Sequence, residues 1–156
     1  MPAQLMPPLD NRALWAATGS CPIEATMEIV GSRAAMLIMR EASYGTTRFD
    51  DFAERAGMAP ATASAHLAEL VAAGLLSRES YQEPGARRRA EYRLTESGVA
   101  FVPVILALFQ WGAKYRAVPD GLTVAHAACG ADVRVETRCT RGHEVPLDEL
   151  AIRLSR

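Results

Sequence analysis

Lysine is almost absent from this chain of 156 residues, because Lys114 is the only lysine among its 17 basic residues and the others are arginines. The acidic residues number 18, so the formal net charge is −1. A chain with so little excess charge has no general attraction to nucleic acid or to an acidic surface. Binding to nucleic acid or to an acidic surface would therefore need basic residues that are concentrated in one part of the chain.

Cysteines are also few. Three of them, an odd number, do not fit a disulfide-stabilised secreted scaffold. The first residues contain neither the basic region nor the apolar region of a signal peptide. No continuous apolar run reaches the eighteen or so residues that a membrane helix needs. We therefore expect a cytoplasmic protein with reduced thiols and no membrane partner.

Catalytic motifs are missing as well. The sequence contains no glycine-rich loop for phosphate, no H-E-x-x-H and no nucleophile elbow. Its acidic residues are scattered over the surfaces of predicted helices. We therefore expect that the protein is not an enzyme. The length and the 49% apolar content instead favour one binding domain with a small appendage.

Helical patterns separated by glycine or proline occupy the first half of the chain. Apolar spacing predicts two helices between residues 22 and 45, with Gly31 between them. Two shorter helices follow; Gly57 ends the first, and Pro60 lies in the first turn of the second. Two short helices joined by such a turn form a helix-turn-helix. The second helix is predicted to bury Ala63, Leu67, Leu70 and Val71.

A hairpin and a long helix are predicted next. The segments 76–82 and 90–95 are typical of strands, and Pro84-Gly85 is typical of the turn between them. Thr95 is the predicted N-cap of a helix that runs to residue 115, with a kink expected at Pro103. This helix is apolar around most of its circumference, so it needs a partner beyond its own core.

The order of these elements predicts an α+β, mainly α fold: a winged helix-turn-helix domain with a small appendage. We divide the chain into an N-terminal arm over residues 1–20, a DNA-binding and dimerisation domain over 21–118, and a C-terminal module over 119–156. The module is predicted to be a ribbon-like β-hairpin around Cys129-Gly130, followed by a short amphipathic helix near Pro146.

The winged-helix order explains the three consecutive arginines at 87–89. In such folds the second helix of the pair enters the major groove, while the hairpin tip reaches phosphates or the minor groove. Arginine suits that tip because its planar fork contacts phosphate bidentately. By strand alternation, Arg87 and Arg89 point one way and Arg88 the other. The predicted DNA-binding residues are Arg48, Ala61, Thr62, Ser64, Ala65, His66, Arg87, Arg88 and Arg89.

Several of these residues also allow an interpretation without a DNA contact. The arginine triplet is also compatible with a solvated loop. His66 is compatible with a surface histidine that has no partner. Ser64 is compatible with an inward-facing position on its helix.

Residues 21–115 resemble the HxlR-type, MarR-related bacterial transcriptional regulators. The resemblance is carried by Cys21-Pro22, Gly31, Arg48-Phe49, Gly74-Leu75, Tyr92, Leu94, Thr95, Gly98, Pro103 and Trp111-Gly112. It implies a homodimer, formed through the N-terminal segment and helix 95–115, that binds a palindromic operator in double-stranded DNA. We expect a repressor, with activation left open.

The chain departs from that family's pattern at two places. Ser32-Arg33-Ala34 replaces a Gly-Lys-Trp-type sequence, and Ala59-Pro60 replaces Ser-Pro at the start of the recognition helix. Losing the capping hydroxyl should cost about 1 kcal/mol. Short side chains on this helix weaken direct base readout, so phosphate contacts and the wing should supply much of the affinity. The rival hypothesis is a protein-interaction adaptor that keeps the winged-helix fold without binding DNA.

Two further sets of residues suggest chemistry. Cys21 precedes a predicted helix start, where partial positive charge lowers a thiol pKa. The resemblance implies that a cysteine here senses an oxidant or a small-molecule effector; the alternative is a packing residue. His126, Cys129, Cys139 and His143 form the second set. Two cysteines and two histidines are suitable zinc ligands, and the alternative is a ribbon held by its strands without metal.

Overall fold

A computed structural model describes residues 3–11, 21–81, 89–116 and 121–154 of the chain. The residues form two units. One comprises Pro22–Val118, and the other combines Met1–Cys21 with Pro119–Arg156. The first unit contains the winged helix that the sequence predicts.

Four helices form the first half of the larger unit, as the apolar spacing predicts. Ser32 opens the second of them, because its hydroxyl oxygen accepts a hydrogen bond from the Ala35 backbone N–H at 3.0 Å. The third and fourth make the predicted helix-turn-helix. Their bounds are α1 Pro22–Val30, α2 Arg33–Ser43, α3 Phe49–Arg55 and α4 Pro60–Ala72.

Glycines in the left-handed region end both helices of the pair. Gly57 follows α3 with φ 61°, and Gly74 follows α4 with φ 75°. Glycine adopts this conformation without the steric penalty that a Cβ atom brings. Pro60 occupies the start of α4, where the missing N–H has no helical partner to lose. The predicted turn chemistry is therefore confirmed at each of these positions.

An antiparallel hairpin follows the helix pair. Its strands are β2 Leu76–Tyr81 and β3 Arg89–Leu94, with Leu76 opposite Leu94. These bounds lie within a residue of the predicted ones at all four strand ends. The intervening residues 82–88, including Pro84-Gly85, lie outside the described residues. A third segment joins the hairpin, because the Tyr92 N–H donates to the Thr47 carbonyl oxygen at 2.8 Å.

The long helix α5 spans Glu96–Tyr115 and is helical without interruption through Pro103. Thr95 is its N-cap as predicted, with the hydroxyl oxygen accepting from the Gly98 N–H at 3.1 Å. The same hydroxyl donates to the Gly74 carbonyl oxygen at 2.5 Å. Gly98 packs so tightly that a Cβ atom there would overlap the Leu75 carbonyl oxygen. These contacts fix the start of α5 against the start of β2.

The core of this unit lies where the helices meet the hairpin. Phe52 and Tyr92 make an edge-to-face contact with ring centroids 6.1 Å apart, which joins α3 to β3. Three of the predicted core residues of α4 are completely buried, and Val71 is partly buried. The largest fully buried side chains are Phe52, Ile38, Met39, Leu67, Leu70 and Leu76.

The second unit corrects two predictions about the chain ends. The amphipathic helix predicted near Pro146 is absent from the described residues, where a single 3-10 turn, Leu147–Glu149, is followed by strand β4, Ala151–Ile152. This strand pairs in parallel with β1, Gln4–Leu5. Residues 3–11 are therefore part of a folded unit and not a free arm. The helix predicted around Trp15 lies outside the described residues.

Non-local hydrogen bonds account for the difference. The Gln4 N–H donates to the Leu150 carbonyl oxygen at 2.7 Å, and the Met6 N–H donates to that of Ile152 at 2.9 Å. These strand hydrogen bonds pair the backbone groups of the short C-terminal segment, which is too short to form a stable helix by itself.

The predicted C-terminal hairpin is reduced to turns with single bridges. Around Cys129-Gly130 the only described ladder contact is the antiparallel bridge Ala125–Asp132, and a second bridge joins Arg138 to Glu144. Gly130 and Gly142 take positive φ values of 72° and 84° inside the two turns. The correction has a physical reason, because each arm is too short and too exposed to bury a sheet face.

Candidate nucleic-acid interface

The N-terminal half of α4 is open to solvent. Ala61, Thr62, Ser64 and Ala65 are exposed, while Ala63 points into the core with no accessible surface. Ser64 therefore does not take the inward position that the sequence left open. Ala59 occupies the N-cap position with no side-chain hydrogen bond, which confirms the loss of the usual capping hydroxyl. This end of the helix presents small side chains and free backbone N–H groups.

His66 is held at the side of α4. Its Nδ1 atom lies 2.7 Å from Glu69 Oε2, three residues further along the helix, and its side chain is 23% exposed. The histidine therefore has a partner, unlike the surface histidine that the sequence left as an alternative. This contact restrains the ring on the flank of the helix.

Arg48 connects the helix pair to the wing. It occupies the N-cap position of α3, and its backbone forms an antiparallel bridge with Glu91 of β3. The neighbouring Thr47 hydroxyl donates to Glu91 Oε1 at 3.0 Å. From the same strand, Arg93 donates to Glu91 Oε2 at 2.8 Å. One carboxylate thus lies between residues of the helix pair and residues of the wing.

These contacts change the acidity of Glu91. The Thr47 hydrogen bond, followed by the one from Arg93, lowers the pKa of the Glu91 carboxyl below its ordinary value of 4.5. The positive charge of Arg48 acts in the same direction. Glu91 is therefore negative at neutral pH and organises the arginines around it. The sequence reasoning missed Glu91 and Arg93, although the alternation Arg89, Glu91, Arg93 on one strand face was a signal for them.

The wing itself is described at its base. Arg89 is the first residue of β3, is exposed, and lies opposite Tyr81 in the hairpin register. Arg87 and Arg88 lie outside the described residues, so their predicted alternation stays a prediction. Arg89 and Arg93 lie on the same face of the strand, with Glu91 between them. The base of the wing thus carries both signs of charge, in contrast to the uniformly basic segment that the triplet suggests.

A stripe of apolar side chains on α5 faces solvent. Val104, Leu108, Trp111 and Tyr115 recur at helical spacing, with 46–61% of each exposed. On α1, Ile23 and Met27 are also exposed, one turn apart. The α5 helix meets the length and composition of a membrane span, with a mean hydropathy of 1.4, and 11% of it is buried. Gln110 and Lys114 interrupt its apolar residues, so the expectation that no continuous apolar run reaches eighteen residues is unchanged.

A groove of about 340 Å³ lies between α1 and α5 in the winged-helix unit. Thr26 and Ile29 of α1 line one side, and Ala100 and Phe101 of α5 line the other. Cys21, the residue directly before α1, is a free and exposed thiol. The exposure of Cys21 argues against the packing role that the sequence left open.

The four residues considered for zinc do not form a ligand set in this geometry. His126 Nδ1 lies 3.1 Å from Cys129 Sγ, so the first pair does meet across its turn. Cys139 and His143 are joined through their backbones, at 3.0 Å. Within the described ranges, however, no three His, Cys, Asp or Glu side chains form a group that could hold a metal ion. The two pairs are therefore not brought together in this geometry, and zinc binding stays a prediction.

The geometry defines a winged-helix DNA-binding domain, in which an exposed second helix lies beside a hairpin that carries arginine at its base. Comparison with known proteins narrows this class. Residues 29–119 match the family model described as HxlR-like helix-turn-helix. The chain is 38% identical over 122 residues to the uncharacterised HTH-type transcriptional regulator Rv3095 of Mycobacterium tuberculosis H37Rv, covering 76% of each chain. The chain belongs to the HxlR-like family of transcriptional regulators, and the resemblance seen in the sequence is confirmed.

Solved structures agree with this assignment. PA1607, described as a candidate transcription factor, matches with a TM-score of 0.75 and 31% identity, over 89% of this chain and 96% of that one. The redox regulator HypR in its oxidised form matches with a TM-score of 0.57 and 29% identity, over 63% of this chain and all of HypR. The unit Pro22–Val118 is about 62% of the chain. The likeness to PA1607 therefore includes residues of the other unit.

Proposed function

We propose that the protein is a cytoplasmic homodimer that binds an inverted-repeat operator and represses transcription. The observation that carries this proposal is the exposed N-terminal half of α4 beside a hairpin whose base is tied to the helix pair through Glu91. In this arrangement α4 enters a major groove, and the wing arginines reach the flanking phosphates. Repression follows because a dimer covering two successive grooves excludes polymerase from overlapping promoter DNA.

A second copy of the chain is the occupant that we assign to the apolar stripe on α5. The stripe runs along one side of the helix, while the side that includes Gly98, Phe101 and Ile105 packs on the domain's own core. A membrane span needs lipid-facing side chains around the whole helix, whereas a dimer needs one face. Trp111 and Tyr115, with ring centroids 5.8 Å apart, supply the aromatic area that interfaces favour.

Regulation by an oxidant is the second part of the proposal. Cys21 is exposed and precedes α1, whose Ile23 and Met27 are exposed in turn. If these side chains belong to the dimer contact, a change at the Cys21 sulfur alters the spacing of the two α4 helices. HypR, to which this chain is similar, is named a redox regulator. The groove between α1 and α5 offers a small-molecule effector an apolar site next to the same contact.

Selection from random duplex DNA tests the function directly. The full chain should enrich an inverted repeat whose half-site centres are about one helical turn apart. Ala65→Asp places a negative charge on the exposed face of α4 and should abolish enrichment. The matched control is Ala72→Asp, which places the same charge at the other end of the helix and should retain enrichment. A wild-type chain that enriches no sequence would identify the protein as an adaptor and overturn the proposal.

A further inference from the structure

A line of methyl groups runs along the solvent face of α4, which also carries the exposed side chains of Thr62, Ser64 and Glu69. Four alanines, at spacings of four, three and four residues, form one line along this face, and each is exposed. Thr62 lies beside the line and adds a methyl group and a hydroxyl. The line comprises Ala61, Ala65, Ala68 and Ala72.

Arginine, lysine, asparagine and glutamine are missing from the same helix. From Pro60 to Ala72 it therefore lacks the residues that read guanine or adenine bidentately. Its two longer polar side chains, His66 and Glu69, contact each other at 2.7 Å. The remaining hydroxyls, on Thr62 and Ser64, bond to either kind of base edge and discriminate little.

We propose that α4 recognises thymine through its 5-methyl group, at the half-site positions that face Ala61, Thr62 and Ala65. This inference rests on the proposed operator binding and specifies what the operator contains. In the major groove the methyl group distinguishes thymine from the other bases, and alanine and threonine methyls make apolar contact with it. Because no long side chain holds α4 away from the base edges, the helix can approach closely enough for methyl groups to meet. Each such contact removes apolar surface from water on both partners.

Replacing thymine by deoxyuridine removes only the methyl group and so tests the contact on the DNA side. The probe is the sequence enriched from random duplex DNA, resynthesised with one deoxyuridine at a time. Affinity should fall about threefold to fivefold for each contacted thymine, and should not change for thymines outside the half-sites. At a contacted position, 5-methyldeoxycytidine should bind more tightly than deoxycytidine by a similar factor.

Matched protein variants test the same contact on the protein side. Ala65→Gly removes one methyl group and should abolish the thymine-to-deoxyuridine ratio at one position of each half-site. Ala72→Gly lies on the same line at the far end of α4, and it should preserve every ratio while controlling for the loss of helix propensity. Unchanged ratios in Ala65→Gly would assign the reading of that position to another residue and overturn the proposal for Ala65.

The outcomes separate this inference from the proposed function. An enriched sequence that binds equally in its thymine and deoxyuridine forms overturns methyl readout and leaves the regulator function standing. Failure to enrich any sequence overturns the proposed function and the methyl readout together.

Discussion

The Thr47 hydroxyl donates a hydrogen bond to Glu91 Oε1 at 3.0 Å, across 44 residues of sequence. The bond joins the segment before α3 to the return strand of the wing. Arg93 donates to the other oxygen of the same carboxylate at 2.8 Å. One ionised side chain therefore adds to the backbone bond from Tyr92 to Thr47 in positioning the wing relative to the helix pair.

Stability should depend on the ionisation of Glu91. Because its pKa in the folded protein is lower than the ordinary 4.5, the carboxylate contributes stability above that pH and loses the contribution as the pH falls through the folded-state pKa. Wild type should therefore unfold at a higher temperature than Glu91→Gln at pH 7, and the difference should shrink below pH 4.5. Thermal melts from pH 7 to pH 3 measure this.

A second variant assigns the effect to its cause. Thr47→Val removes the hydrogen bond that contributes most to the lowered pKa. It should reproduce part of the change in pH dependence that Glu91→Gln causes, while Arg48 and Arg93 are kept. Parallel stability curves for wild type and Glu91→Gln would contradict the assignment.

The wing arginines should contribute affinity that salt screens. Arg87→Ala combined with Arg89→Ala should weaken binding to selected and unrelated DNA alike, because phosphate contacts carry no sequence information. The slope of log K against log salt should decrease in magnitude by about 0.9 for each phosphate that the double variant no longer neutralises. Gel-shift titrations at several salt concentrations measure the slope. Arg134→Ala combined with Arg141→Ala, an equal charge change in the other unit, is the control. A slope that stays at the wild-type value in the Arg87→Ala, Arg89→Ala variant would refute the proposed role of the wing.

The apolar stripe on α5 should hold the dimer together. Leu108→Glu or Trp111→Glu buries a charge in the proposed interface and should convert the dimer to a monomer. Analytical ultracentrifugation measures the mass, and circular dichroism checks that the variant is still folded. The control is Ala113→Glu, on the opposite side of the helix by its spacing. A folded Trp111→Glu that keeps the dimer mass would show that this stripe is not the interface.

Gly98 should be intolerant of any side chain. A Cβ atom there overlaps the Leu75 carbonyl oxygen, so Gly98→Ala should reduce the free energy of unfolding by about 1–3 kcal/mol. Gly112 lies in the same helix with nothing within 4 Å of an added Cβ atom. Gly112→Ala should therefore be neutral or stabilising by up to about 1 kcal/mol. Urea denaturation of both variants measures the contrast, and equal values would contradict the close approach.

Oxidation of Cys21 should change DNA affinity. Diamide removes one hydrogen atom from each of two thiols as they form a disulfide, here between Cys21 of the two copies, and should alter the gel-shift affinity of wild type. Dithiothreitol should reduce the disulfide and restore the affinity. Cys21→Ser should bind DNA but fail to respond. Cys129→Ser and Cys139→Ser should respond as wild type does. A response that survives in Cys21→Ser would move the redox function to one of those two thiols.

The helix-turn-helix could be predicted from the sequence because its signals are local. Apolar residues at a spacing of three or four residues define the buried side of α4, and Gly57, Pro60 and Gly74 mark where the helices end or begin. The Thr95 N-cap is equally local, since the bonded groups are three residues apart. Each of these features is decided within one or two turns of chain.

The tertiary structure alone decided the features that join distant segments. The pairing of β1 with β4 uses backbone groups of Gln4 and Leu150, which carry no distinctive side-chain pattern, and it replaced the predicted C-terminal helix. The carboxylate of Glu91 acquired its partners when Thr47 and Arg48 were brought beside β3. Local propensity and periodicity determine helices and turns from the sequence, whereas non-local hydrogen bonds depend on which strands meet, and that is settled only when the core has formed.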